Sequence, residues 1–136
     1  MPTPKPKSIS QLKKEADKHF SIYVRLRDSD RHGNVKCITC SKIMPWKQAQ
    51  NGHFVSRRVN ALRYDDENCN GQCYSCNVMR YGEQFEYAQA LDKKYGKGTA
   101  DALHARRHES HQFKAQELLD IIAEAKENCR AHNNFH

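Results

Sequence analysis

Apolar residues recur at spacings of mostly three and four near the start of the chain: Ile9, Leu12, Ala16, Phe20, Tyr23 and Leu26 share one side of a 3.6-residue period. Ser8 and Gln11 precede them in the S-x-x-Q form of a capping box, where the two side chains satisfy backbone groups that the first turn leaves open. The pattern predicts an amphipathic helix over 9–30, ending in the turn-forming run RDSDRHGN. Beyond it the period lapses. "IMPW" and "AQNGHFV" read as short strands able to pair as a hairpin, the first held at a sheet edge because Pro45 has no amide proton to donate. "CYSCNVMRYG" reads as a short helix. After Gly82 the helical period returns: Phe85, Ala88, Leu91 and Tyr95 mark a helix that Gly96 stops, and Thr99 can cap a short one through Leu103. Phe113, Leu118, Ile121, Ile122 and Ala125 place a last helix from about Ser110 towards Cys129.

These elements predict an α+β chain with no internal repeat. The stretch 1–8 holds three of the four prolines and reads as a disordered basic arm. One domain is expected over 9–136: the N-terminal helix at 9–30, an irregular core at 35–82, and C-terminal helices at 83–128. Only 38% of the 136 residues are hydrophobic, so a structural metal would compensate for a small core. The 23 Lys and Arg against 16 Asp and Glu give a net charge of +7, which favours a polyanionic partner, nucleic acid first. No apolar run approaches the roughly 18 residues of a membrane span, and MPTPKPKS has no apolar core of a secretion signal. No membrane partner is expected, and a cytoplasmic location follows.

In a reducing compartment six cysteines point to thiols or metal ligands. Cys37-x2-Cys40 and Cys73-x2-Cys76 each present two thiolates from a tight turn, together the four-thiolate set of structural zinc. Cys69 and Cys129 read as packed thiols, although Cys69 stands close enough to compete. Cys37, Cys40 and His53 also have the spacing that opens a finger with two cysteine and two histidine ligands. Such a finger needs a second histidine three to five residues on, and the next one is His104. With four thiolates available His53 is left for other work, as a buried structural residue or as a base. His104, His108 and His111 in HARRHESH read as a hydrated basic helix end, since the adjacent arginines repel a cation.

A hairpin followed by a helix, with histidine on the second strand and asparagine directly after the last cysteine, resembles the ββα-metal layout of HNH or His-Me finger nucleases. GHFVSRR, ALRYDDEN and QCYSCN are similar to the blocks of the lambda-type phage NinG/Rap recombination endonuclease family, over about residues 15–128 and most strongly over 37–82. The resemblance implies that His53 is the general base, that Asn68 braces the loop between strand and helix, and that Asn77 binds a catalytic Mg2+ or Mn2+ through its amide oxygen. It also implies that Cys37, Cys40, Cys73 and Cys76 hold a structural zinc. An imidazole with pKa about 6.5 suits proton abstraction from water near neutral pH, and amide or carboxylate oxygens suit a hard cation. Many HNH enzymes carry an aspartate before the histidine, whereas here Gly52 stands there. Either Asn77 is the sole protein ligand, the favoured reading, or Asn51, Asp65 or Asp66 contributes.

Arg57, Arg58 and Arg63 beside His53, and Arg80 after Asn77, are expected to contact DNA phosphates. Lys93, Lys94, Lys97, Arg106 and Arg107 can extend that surface. The function implied is metal-dependent endonucleolytic cleavage of branched recombination intermediates, Holliday junctions or flaps, in the host cytoplasm if phage-encoded. One site per chain and two strands to cut imply a homodimer, expected through the long terminal helices. A nicking or restriction-type HNH enzyme and a non-catalytic zinc module that binds DNA are the alternatives.

Overall fold

A computed structural model describes residues 5–133, so the first half of the expected arm, 1–4, lies outside the described residues. Helix α1 spans Ile9–Arg27 and begins at the predicted capping box, with Ser8 and Gln11 exchanging side-chain and backbone hydrogen bonds. Leu12, Ala16, Phe20 and Val24, four residues apart, form its buried stripe. The helix stops short of residue 30 because the chain turns outward at Asp28. Its carboxylate accepts from Arg27, Lys94 and the Gly71 amide, and Ser29 already bridges to Val35.

Four short strands follow: β1 (Asn34–Lys36), β2 (Ile43–Pro45), β3 (Gln50–His53) and β4 (Cys69–Gln72). The expected pairing of IMPW with AQNGHFV does not form. Instead β2 pairs antiparallel with β1, Val35 opposite Met44, and β3 pairs antiparallel with β4, His53 opposite Cys69. Alternation identifies a strand but not its partner. The partner is decided by the knuckle Cys37–Cys40, which is itself the turn of the first hairpin, while Trp46–Gln48 forms a 3-10 turn that redirects the chain. Val35, Cys37, Met44, Ala49, Cys73 and Cys76 pack as one cluster. β1 lies close on β4: a Cβ at Gly71 would meet Val35 Cγ1 at 2.7 Å, so only glycine admits the approach.

After β4 the expected short helix forms as a π-helical turn, Ser75–Met79. Helix α2 (Gln84–Tyr95) ends at Gly96, as predicted, with φ of 121°. Phe85 is exposed and does not mark the buried face; Tyr87 and Leu91 do, packing with Phe54, Val55 and Leu62. Helix α3 (Thr99–Ala105) begins one residue after Gly98, so Thr99 lies inside it. Helix α4 (Ala115–Asn133) starts five residues later than expected and packs its apolar face on α1, through Leu118 and Ile122 against Leu12 and Ala16. The terminal helices therefore bury these apolar faces against each other within one chain.

Cys69 is a fully buried thiol, with no role in the cysteine cluster. Among the described residues no helix is long and apolar enough to cross a membrane.

Candidate functional site

The two hairpins bring the cysteine knuckles together. The sulfurs of Cys37, Cys40, Cys73 and Cys76 all lie within 4.8 Å of one another, with Cys40 and Cys73 at 3.7 Å. Four thiolates about 2.3 Å from one zinc ion at tetrahedral angles stand about 3.8 Å apart, so this group could hold zinc after a small contraction. Burial opposes the Cys37 thiolate, but the Thr39 hydroxyl and the backbone amides of Cys73, Cys40 and Thr39 outweigh it and bring its pKa down to about 6. Burial pushes Cys76 up to about 12. The Cys37 thiolate is thus favoured without a cation, and a dication is what would stabilise all four together.

A cleft of about 640 Å³ opens between α1, β3 and the π-helical turn, and His53, Asn51, Asn77, Arg57 and Arg63 all line it. His53 occupies the end of β3. Its Nε2 lies 2.9 Å from the Arg63 carbonyl, which can only accept, so that nitrogen carries the proton and Nδ1 keeps its lone pair. Burial pushes the His53 pKa below 6.5, and the nearby Arg63 and Arg57 cations act in the same direction against the Arg63 carbonyl and Asp17. The ring is neutral near pH 7.

Asn77 rides on the π-helical turn just after Cys76. Its Nδ2 donates to Gln50 Oε1 at 2.7 Å, which orients the amide and leaves Oδ1 accepting no hydrogen bond among the described residues. Asn51 Oδ1 is buried with no hydrogen-bond partner among the described residues. Two amide oxygens on one cleft are a donor set that suits a hard cation.

The reason for Gly52 is also in the geometry. A Cβ at this position would collide with the Gln72 side chain, and Gln72 is fully buried by bonds to Thr39 and the Gly82 carbonyl. No aspartate fits there. Asp65 and Asp66 do not line the cleft: Asp65 caps the turn before Asn68, and Asp66 accepts from Tyr23.

Asn68 is fully buried, and its side chain bonds the Val55 amide, the Val55 carbonyl and the Leu62 carbonyl. It closes the long loop between β3 and β4 and does not line the cleft. Tyr87, which sequence reasoning passed over, donates to the Gly52 carbonyl at 2.6 Å and steadies β3 from beneath.

The arginines divide. Arg57 and Arg58 are exposed, and Arg57 lines the cleft. Arg63 lines it too, but its guanidinium grips both Asp17 oxygens and the Arg57 carbonyl. Burial would raise the Asp17 pKa, and Arg63 with Tyr64 outweighs it, so Asp17 stays ionised. Asp17 is the only carboxylate lining the cleft among the described residues. Arg80 is exposed beyond the turn and pairs with Glu83 at 3.7 Å. Lys94 and Arg106 are likewise occupied, by Asp28 and by Glu109.

Sequence reasoning missed the α1 wall. Asp17, Ser21 and Arg25, four residues apart, form a polar stripe along the cleft. Arg25 lies 5.4 Å from the Trp46 ring centroid, donates to the Ser21 carbonyl, and has no ion pair among the described residues. The signal was present as an i, i+4, i+8 polar row beside the apolar one, but the stripe could equally have faced solvent.

Comparison with known proteins agrees with these blocks of sequence. The family model described as "Bacteriophage Lambda NinG protein" matches residues 3–134. Protein ninG of Salmonella phage P22 is 26% identical over 118 residues, covering 86% of this chain and 55% of that protein. Protein ninG of Escherichia phage lambda is 25% identical over 118 residues, with 86% and 55% covered, and that of Enterobacteria phage H19B is 27% identical over 111 residues, with 81% and 52% covered. The chain thus spans about half the length of the curated relatives it matches. No solved structure matches. On the family match, which takes in nearly the whole sequence, the chain belongs to the NinG family of lambdoid phage proteins.

Proposed function

We propose that this chain is a divalent-metal-dependent DNA endonuclease of the HNH or His-Me finger type, acting on branched recombination intermediates such as Holliday junctions or flaps. The observation that carries the reading is the pairing, on one cleft, of a neutral His53 with its Nδ1 open and an Asn77 whose Oδ1 is unbonded. The order of elements supports it: β3, β4 and a helical turn, with histidine on the strand and asparagine on the turn, follow one another as in a ββα-metal unit. The cysteine group would hold zinc and fasten that unit.

In this reading His53 Nδ1 takes the proton from a water molecule as the water oxygen bonds to phosphorus and the bond from phosphorus to the leaving sugar oxygen breaks, while the Arg63 carbonyl holds the ring in the required tautomer. Arg57 and Arg25 bind the phosphate flanking the cut, and Arg63 positions His53 and Arg57 through its backbone and its Asp17 pair. Asn77, with Asn51 as a second oxygen donor, would hold Mg2+ or Mn2+, which supplies charge neutralisation on the phosphate and the leaving oxygen. A homodimer provides the two cuts that a junction requires.

The test is cleavage of matched labelled linear duplex, single strand, flap and four-way junction by wild type and His53→Ala, with Mg2+ or Mn2+ and with EDTA. Metal-dependent cuts on branched DNA that vanish in the variant while binding persists are expected. Tight binding with no cut on any substrate would make the chain a zinc-stabilised DNA-binding module, and equal cutting of linear duplex would point to the nicking or restriction class.

A further inference from the structure

Five of the large apolar side chains that the fold leaves exposed come from one short segment: Tyr74, Val78, Met79, Tyr81 and Phe85. The exposure is built in. Tyr81, Gly82 and Glu83 all have positive φ, at 55°, 87° and 51°, a conformation costly for the two non-glycine residues. The loop is nevertheless held firmly. The Gly82 amide donates to the Cys76 carbonyl at 2.8 Å, the Gly82 carbonyl accepts from buried Gln72 at 2.9 Å, and the Glu83 amide donates to the Arg80 carbonyl. Tyr81 is left 88% exposed and Phe85 71% exposed on a fixed backbone.

The segment continues the candidate site. Val78 lines the cleft beside Asn77, and the exposed side chains follow directly from it. Val78 is the member of the exposed group that joins it to the cleft. Rings standing in water at a phosphodiester-cutting site fit one chemistry best, the faces of bases that are not stacked in a duplex. Glu83 is paired with Arg80 and Glu86 adjoins Phe85 in sequence, so the segment carries no surplus positive charge to draw the phosphate backbone onto the rings.

We propose that Tyr81 and Phe85, with Met79 beside them, form a stacking platform that takes up unpaired bases next to the cut, so that the chain selects DNA by its unstacked bases instead of by sequence. This rests on the nuclease reading of the cleft and names the substrate class for it. The platform favours flaps, junction centres and single strands over continuous duplex.

The experiment measures binding with no added Mg2+ or Mn2+, so that it does not depend on cleavage. The probes are a flap carrying 2-aminopurine in the unpaired strand beside the branch and a fully paired duplex of the same sequence. Wild type is expected to quench the 2-aminopurine and to bind the flap more tightly. The double variant Tyr81→Ala/Phe85→Ala should lose about tenfold in flap affinity and most of the quenching, with duplex affinity changed by less than about twofold. Tyr81→Phe should retain both, because it keeps the ring. Equal losses on flap and duplex, no loss on either, or no DNA binding by wild type would overturn the proposal. So would a wild-type dimer, by sedimentation, that the double variant dissociates, since the patch would then be a contact between copies. If wild type binds the flap as expected but cuts nothing with Mg2+, the nuclease reading fails and the stacking platform stands.

Discussion

His53 illustrates how much a single hydrogen bond decides. A free imidazole can be protonated on either nitrogen, and the Arg63 carbonyl removes that choice. Burial lowers the pKa from 6.5, and the sign follows: the neutral form dominates in the fold above a point that lies below 6.5. The expected pH profile of kcat/KM therefore rises with a midpoint below 6.5 and is flat through neutrality. A rising limb centred above 7 would show that some other group is the base. The same shift makes His53 favour the unfolded chain as pH falls from 6.5 towards the folded pKa. Asp17 acts lower on the scale: its depressed pKa stabilises the fold above the usual 3.8, and that contribution is lost as pH falls through the folded value.

Among elements, the β3–β4 pair sets the limits of the site. Gln72 sits over Gly52 across the ladder, and its buried amide is committed on the far side. Gly52→Asp, which would restore a carboxylate before the histidine, is expected to cost about 2 kcal/mol or more in urea unfolding through overpacking and a buried charge. It should gain no activity. A Gly52→Asp protein of unchanged stability and higher activity would show that the strands separate more easily than the register implies. On α1, the apolar row carries the packing on α4 while the neighbouring polar row of Asp17, Ser21 and Arg25 walls the cleft.

For the whole molecule, the cysteine group joins two hairpins whose strands are only three or four residues long. Strands this short are marginal alone. Removing zinc with a chelator at neutral pH is expected to lower Tm by roughly 10 °C or more, and Cys73→Ser to do the same without chelator. Elemental analysis should find zinc in wild type and a loss of it in the variant. A zinc-free wild type of unchanged Tm would remove the metal from the fold.

The sequence by itself determined the features that depend on near neighbours. The capping box at Ser8, the stop at Gly96 and the two C-x2-C turns follow from local backbone demands, and the apolar rows of α1 and α4 follow from the helical period. It also supplied the blocks that place the chain in its family. Only tertiary structure decided strand partners, because alternation is the same whichever strand lies alongside. It likewise decided that Arg63 is bound to Asp17 while Arg25 is not, that Phe85 faces out and Tyr87 in, and that Gly52 is imposed by Gln72 across the sheet. Each of these turns on residues far apart in the chain, whose meeting no local pattern records.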